Sequence, residues 1–119
     1  MAKTVASRKA KGRNLQQAVR DKLLEAFPTL SSDDVVSVPA SVNGRDIMLS
    51  KEAQKAIPYS IECKNQEKLN IWSALEQAED NAKDLTPVLI FKRNRSKTYA
   101  VIDIDEYIEL IKIKNYVTK

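Results

Sequence analysis

Residues 43–66 read NGRDIMLSKEAQKAIPYSIECKNQ, and they contain two strand-like runs that each carry an acidic residue. Asp46 precedes the apolar letters IML, and Glu62 lies in the next run after fifteen intervening residues. Side chains alternate across a strand, so Glu62 and Lys64 share one face of theirs. The pattern predicts two carboxylates and an ammonium group close together on two strands.

These groups suit the hydrolysis of a phosphodiester. A divalent cation polarises phosphoryl oxygens and lowers the pKa of a water, and hard carboxylate oxygens hold it with positions left open. Asp46 and Glu62 supply such oxygens, and the carbonyl of Cys63 is a candidate third ligand. Lys64 would face the same phosphate or the attacking water. A solvated charge pair is the alternative for E-x-K taken alone, but the apolar residues around it favour a half-buried or central strand.

The order G-x-D, fifteen residues, E-x-K resembles the PD-(D/E)XK nuclease superfamily. Gly44 begins this pattern and permits a tight turn before Asp46. More specifically, the chain resembles the small archaeal and phage Holliday junction resolvases and related phage endonucleases over roughly residues 11–111. The resemblance implies an α/β, restriction-endonuclease-like core, in which helices flank a mixed central sheet of about five strands in the order α-β-β-β-α-β-β-α.

Apolar periodicity predicts elements in the same order. A first helix is predicted over 13–27, with apolar residues at i, i+4 and i+8, and Pro28 ends it. The later predictions are strands over 35–38 and 46–49, a helical turn over 51–57, a strand from 59, a helix over 70–84, strands over 86–91 and 98–104, and a helix from 105. We expect one nuclease domain over 13–119, preceded by a basic, flexible arm over 1–12.

The resemblance also implies an acidic ligand in the first helix, in the context K-G-x-x-x-E. This chain reads KGRNLQ, so Gln16 stands at that position. A glutamine carbonyl orients a water but adds no negative charge, and an ordinary polar residue at the helix edge is the alternative interpretation. The predicted catalytic residues are Asp46, Glu62, Lys64 and Gln16. One or two Mg²⁺ ions would bind Asp46, Glu62 and Cys63, and Mn²⁺ is expected to substitute.

Basic residues concentrate in two segments. The first thirteen residues hold five of them and no acid, and the turn over 92–97 holds four in six residues. Because the net charge is only +4, the rest of the chain is net negative. Such clusters favour binding to a phosphate backbone, although charged tails and turns are also common because they are solvated. The predicted DNA contacts are Lys11, Arg13, Asn43, Arg45, Gln66, Gln77, Lys92, Arg93, Arg95 and Lys97.

Composition excludes several classes of protein. The chain has 119 residues, which suits one domain with a modest core. With one cysteine and no histidine, it has no intramolecular disulfide, no histidine base and no zinc site of the usual Cys/His type. No nucleotide-binding fingerprint is present, so no small-molecule cofactor is expected. Neither a membrane span of about twenty apolar residues nor a secretory signal is apparent. We expect a cytoplasmic protein, in the host cell if a phage encodes it.

The sequence-based hypothesis is therefore a Mg²⁺-dependent DNA endonuclease that acts on branched DNA such as a Holliday junction. The alternatives are a general nicking or duplex-cleaving nuclease and a catalytically silent DNA-binding module. The resemblance implies a two-fold homodimer, which would carry two active sites. The apolar residues near the C-terminal end of the sequence are either a dimer surface or the core face of the last helix. They are Ile104, Tyr107, Ile108, Ile111 and Ile113.

Overall fold

The computed structural model describes residues 5–38 and 45–118. Four helices and five strands follow one another there in the predicted order, with a short helix where the helical turn was expected. They are α1 (Val5–Ala26), β1 (Val35–Ser37), β2 (Ile47–Leu49), α2 (Lys51–Ala56), β3 (Tyr59–Asn65), α3 (Ile71–Ala82), β4 (Thr86–Lys92), β5 (Tyr99–Val101) and α4 (Ile104–Thr118).

The five strands divide into two sheets. β1 and β2 form an antiparallel pair, while β4 lies between a parallel β3 and an antiparallel β5. The two sheets approach each other where the backbone N–H of Asp46 donates to the carbonyl of Ile61 at 3.3 Å. The mixed α/β fold is compatible with the expected restriction-endonuclease-like core, but the sheet is interrupted between β2 and β3.

The core lies between α1 and these strands. Leu15 and Val19 on α1 pack with Val35, Ile47 and Ile61 in one cluster of buried side chains. In β2 the outer residues are buried and the central one is exposed, as strand alternation requires. In β3, by contrast, four consecutive residues over 60–63 are buried. Both faces of β3 are therefore covered over these residues, so the Glu-Cys-Lys sequence begins inside the protein.

Helix α1 begins at Val5, eight residues before the predicted start. The prediction relied on apolar periodicity, which VASRKAKG lacks, but alanine, lysine and arginine are strong helix formers even without packing. Residues 5–12 are thus helical in the structure, and Arg8 and Lys9 lie on the first turns of α1. Lys3 and Asn43 lie outside the described residues.

Strand β5 is shorter than predicted, and two residues separate it from α4. The strand expected over 98–104 ends at Val101, because Asp103 accepts the backbone N–H of Asp105 at 2.8 Å and so caps α4. Helix α4 is joined to β3 by a hydrogen bond from the Tyr59 hydroxyl to the Glu106 carboxylate. Within 5–38 and 45–118, no helix has both the length and the apolar character needed to cross a bilayer.

Candidate active site

Asp46 lies at the junction of the two sheets and is held by three hydrogen bonds to backbone groups. Its backbone N–H donates to Ile61, and its carbonyl accepts from the N–H of Val38 at 2.9 Å. Its carboxylate oxygen Oδ2 accepts the backbone N–H of Cys63 at 2.6 Å. Both the backbone and the side chain of Asp46 therefore bind the free edge of β3, which fixes its carboxylate beside the Glu-Cys-Lys sequence.

Glu62 is only 3% exposed and carries the most perturbed carboxyl of the site. Burial, followed by the negative charge of Asp46 and a hydrogen bond between the two side chains, raises the pKa of Glu62 to about 7. A hydrogen bond from Asn81 and the charge of Lys64 act in the opposite direction. Asp46 is only partly buried. A buried carboxyl such as Glu62, beside a second carboxylate, is suited to binding a cation in place of its proton.

Cys63 and Lys64 lie next to Glu62 on β3 and complete the site. Lys64 is partly exposed, two residues beyond Glu62 on the same strand face. The N–H and carbonyl of a strand residue point to the same edge, so the Cys63 carbonyl faces the side on which its N–H meets Asp46. Burial raises the pKa of the Cys63 thiol, which leaves the carbonyl as the better donor to a hard cation.

Gln16 is buried in α1 at 6% exposure. Its carbonyl oxygen accepts a hydrogen bond from the Ser37 hydroxyl at 3.0 Å. Ser37 is paired with Ile47, the residue that follows Asp46, so Gln16 lies near the site without a described bond to either carboxylate. Within the described ranges, no group of three or more Asp, Glu, Cys or His side chains could hold a metal. The donors brought together are two carboxylates and a backbone carbonyl.

Asn81 is a site residue that the sequence did not indicate. Its side-chain nitrogen donates to Glu62 Oε1 at 3.1 Å. Its spacing could have indicated it. Asn81 stands three and seven residues after the buried Ala78 and Ala74 and therefore shares their face of α3. Gln77, the predicted polar residue of this helix, is exposed.

Arg45 contacts the protein itself. Its guanidinium donates to the carbonyls of Asn81 at 3.4 Å and Ala82 at 3.0 Å, and it lies 3.8 Å from the Asp84 carboxylate. A cation at the last carbonyls of a helix is stabilising. Arg45, which directly precedes Asp46, thus connects this part of the chain to α3, the helix that orients Glu62. A contact between Arg45 and DNA, as predicted, would require these bonds to be shared or replaced.

The basic turn over 92–97 lies just beyond the site. Asn65 is paired with Lys92, and the N–H of Gln66 donates to the carbonyl of Lys92 at 3.1 Å. The turn follows β4 and therefore begins beside the end of β3 that carries Lys64. Four of the predicted DNA contacts in this region are exposed. They are Gln66, Arg93, Arg95 and Lys97. On α1, Arg13 is exposed and Lys11 is partly buried.

Residues 7–119 match a family model described as "Phage putative PDDEXK endonuclease". The chain belongs to this family. The match spans nearly the whole sequence, so it confirms the resemblance to the PD-(D/E)XK superfamily and supports nuclease activity on DNA. Nucleases of this superfamily generally use divalent metal ions. Comparisons with curated proteins and with solved structures found no match, and the narrower likeness to Holliday junction resolvases stays a prediction.

Substituting Asn81 with leucine is expected to weaken Mn²⁺ or Mg²⁺ binding about tenfold, because loss of a hydrogen bond that orients a metal ligand typically costs 10- to 100-fold in affinity or activity. Calorimetric titration of the metal measures this. Gln77→Leu is the matched control, since Gln77 is exposed one turn earlier on α3, and its affinity should equal that of the wild type. An equal loss in both variants would show that the effect comes from α3 as a whole.

Proposed function

We propose that this family member is a divalent-metal-dependent endonuclease that hydrolyses phosphodiester bonds in DNA. The main support is the buried Glu62 carboxyl beside the partly buried Asp46, with Lys64 on the same strand face as Glu62. Desolvation and the negative charge of Asp46 oppose ionisation of Glu62, and the positive charge of Lys64 offsets them only in part. A bound Mg²⁺ would relieve that repulsion, and Mn²⁺ is expected to replace it.

In the proposed mechanism, Asp46, Glu62 and the Cys63 carbonyl hold the cation. When bound, the cation polarises the phosphoryl oxygens and lowers the pKa of a water. Lys64 positions that water with its ammonium group and stabilises the negative charge that develops on the phosphoryl oxygens. Asn81 keeps the Glu62 carboxylate in place through the 3.1 Å hydrogen bond. Gln16 assists by orienting a water from α1.

The proposed substrate is branched DNA, and the proposed enzyme is a homodimer in the host cytoplasm. The branched substrate and the dimer follow from the resemblance to resolvases. The exposed basic side chains of the 92–97 turn support binding of the DNA backbone. The turn begins at Lys92, which is paired with Asn65, the residue after Lys64. The basic first turns of α1 supply a second candidate contact with phosphates.

The substrate is tested by incubating the protein and Mg²⁺ with labelled four-way junction, flap, duplex and single-stranded DNA. Paired, symmetric cuts near the crossover, absent with EDTA and with Glu62→Ala, are the expected result. Cleavage of all four forms would indicate a general nuclease. Binding without cleavage in either Mg²⁺ or Mn²⁺ would indicate a silent DNA-binding module.

Gln16→Glu tests the proposed role of Gln16. A third carboxylate near the metal should destabilise the metal-free protein, since it buries a charge, and it should increase metal affinity about tenfold. The increase in melting temperature on adding Mg²⁺ should therefore be larger than in the wild type. Gln17→Glu, an exposed neighbour on α1, is the control. A loss of stability that Mg²⁺ does not reverse would show that Gln16 has only a structural role, through its hydrogen bond with Ser37.

A further inference from the structure

Helix α4 carries eight of the twelve large apolar side chains that are exposed among the described residues. Eight large apolar side chains between 104 and 117 are 39–81% exposed, which excludes the interpretation of this helix as a core element of the single chain. They are Ile104, Tyr107, Ile108, Leu110, Ile111, Ile113, Tyr116 and Val117. Together they expose on the order of 900 Å², whereas the largest apolar patch of a monomer is about 300–600 Å² and a stable interface buries about 800 Å² per partner.

The apolar residues of α4 lie on more than one side of the helix. One stripe over 104–111 has the spacing i, i+3, i+4, i+7, and a second over 110–117 has the spacing i, i+3, i+7. A helix that is apolar on several sides is normally buried. Its first half is bound to β3 through Glu106 and lines a cleft together with the end of α3. A further partner is needed to cover the remaining surface.

The charges of α4 indicate which partner fits. Its first half carries Asp105, Glu106 and Glu109, and its second half carries Lys112 and Lys114. A second α4 running antiparallel would place each acidic half opposite a basic half. A two-fold axis produces this arrangement, because it repeats every contact twice.

An acidic cleft beside α4 extends this complementarity. It has a volume of about 810 Å³ and lies between the end of α3 and the start of α4. Six of its lining residues are acidic: Glu79, Asp84, Asp103, Asp105, Glu106 and Glu109. The cleft attracts the basic half of a partner helix and repels DNA phosphates and anionic lipid headgroups.

We propose that α4 is the dimer interface and that it packs antiparallel against α4 of a second copy of this chain. This inference rests on the homodimer proposed above and assigns the surface that forms it. It does not depend on catalysis. Because the test measures mass alone, its failure is distinct from failure of the nuclease assignment.

Sedimentation equilibrium of the full chain tests the interface. The wild type should form a species of twice the 13.4 kDa monomer mass at micromolar concentration. Ile111→Glu should raise the dimer dissociation constant at least about tenfold, because it buries an unpaired charge. Met48→Glu is the control, since Met48 on β2 is 50% exposed and Ile111 is 44% exposed. Its dimer should be unchanged, and circular dichroism should show that both variants are folded.

Charge exchange tests the orientation. Asp105→Lys and Lys114→Glu should each weaken the dimer about three- to tenfold, since symmetry repeats each lost attraction twice. The two positions are too far apart on one helix to contact each other. The double variant Asp105→Lys/Lys114→Glu should restore the wild-type dimer. A monomeric wild type at 100 µM, an unaffected Ile111→Glu dimer, or no restoration in the double variant would overturn the proposal. So would a monomer that binds phosphatidylcholine vesicles through α4.

Discussion

Glu62→Gln is expected to reduce DNA cleavage by at least about three orders of magnitude in a protein that folds normally. The glutamine carbonyl can still accept from Asn81, and its nitrogen can donate to Asp46, so both described contacts of Glu62 have a replacement. One of the two proposed negative metal ligands is lost. Single-turnover cleavage at saturating Mg²⁺ measures the effect, and Glu76→Gln, at an exposed position on α3, should cleave at the wild-type rate.

The same substitution should stabilise the metal-free protein at alkaline pH. In the folded state the pKa of Glu62 is raised from 4.5 to about 7, first by burial and then by Asp46. Between these values the folded state holds a proton that the unfolded state has lost. The contribution of Glu62 to the free energy of unfolding is therefore fully present below pH 4.5 and is lost as the pH rises through about 7.

Urea denaturation in EDTA checks this effect. At pH 8 the free energy of unfolding of Glu62→Gln should exceed that of the wild type by about 1–2 kcal/mol, after allowance for solvent screening. The advantage should shrink as the pH is lowered towards 4.5. A variant less stable than the wild type at pH 8 would contradict the view that the buried Glu62 carboxylate, beside Asp46, destabilises the metal-free fold.

Lys64→Met is expected to slow cleavage about 10²- to 10⁴-fold while leaving metal affinity nearly unchanged. Lys64 donates no electron pair to the metal in the proposed site, so its loss affects the water and the developing charge. Its positive charge also opposes the raised pKa of Glu62, so its removal should raise that pKa further and shift the pH–rate profile to higher pH.

Parallel calorimetric and cleavage titrations distinguish this role from a structural one. Lys68→Met is the control because Lys68 is exposed just beyond β3, and both its metal affinity and its cleavage rate should match the wild type. If Lys64→Met lost metal binding and activity together, Lys64 would be needed to form the site. If it cleaved at the wild-type rate, the ammonium group would have no part in the reaction.

Local patterns were sufficient to predict much of the fold. The apolar YSIEC run indicated β3, Pro28 marked the end of the first helix, and the apolar letters IML indicated β2. The pairing of Asp46 with Glu62 was also readable, because both residue types and their spacing follow a family pattern. The strands depend on neighbours in the sequence, whose geometry is fixed by the strand repeat.

Features that depend on distant partners were not predictable. Nothing in the sequence around Arg45 indicates that it caps α3, 36 and 37 residues away. Asn81 was missed because α3 carries several polar residues next to its buried stripe. The sequence does not show which of them faces Glu62. The early start of α1 was missed for another reason. Its first turns owe their form to helix propensity, whereas the prediction followed apolar periodicity.

The most direct test of the central claim is a time course of cleavage of a labelled four-way junction by the wild type and by Glu62→Gln. Each protein is incubated with Mg²⁺, with Mn²⁺ and with EDTA. Cleavage by the wild type in either metal, with none in EDTA and at least about a thousandfold less by Glu62→Gln, is the expected result. Cleavage by Glu62→Gln at the wild-type rate, or wild-type protein that binds the junction and never cuts it, would contradict a metal-dependent nuclease built on Asp46 and Glu62.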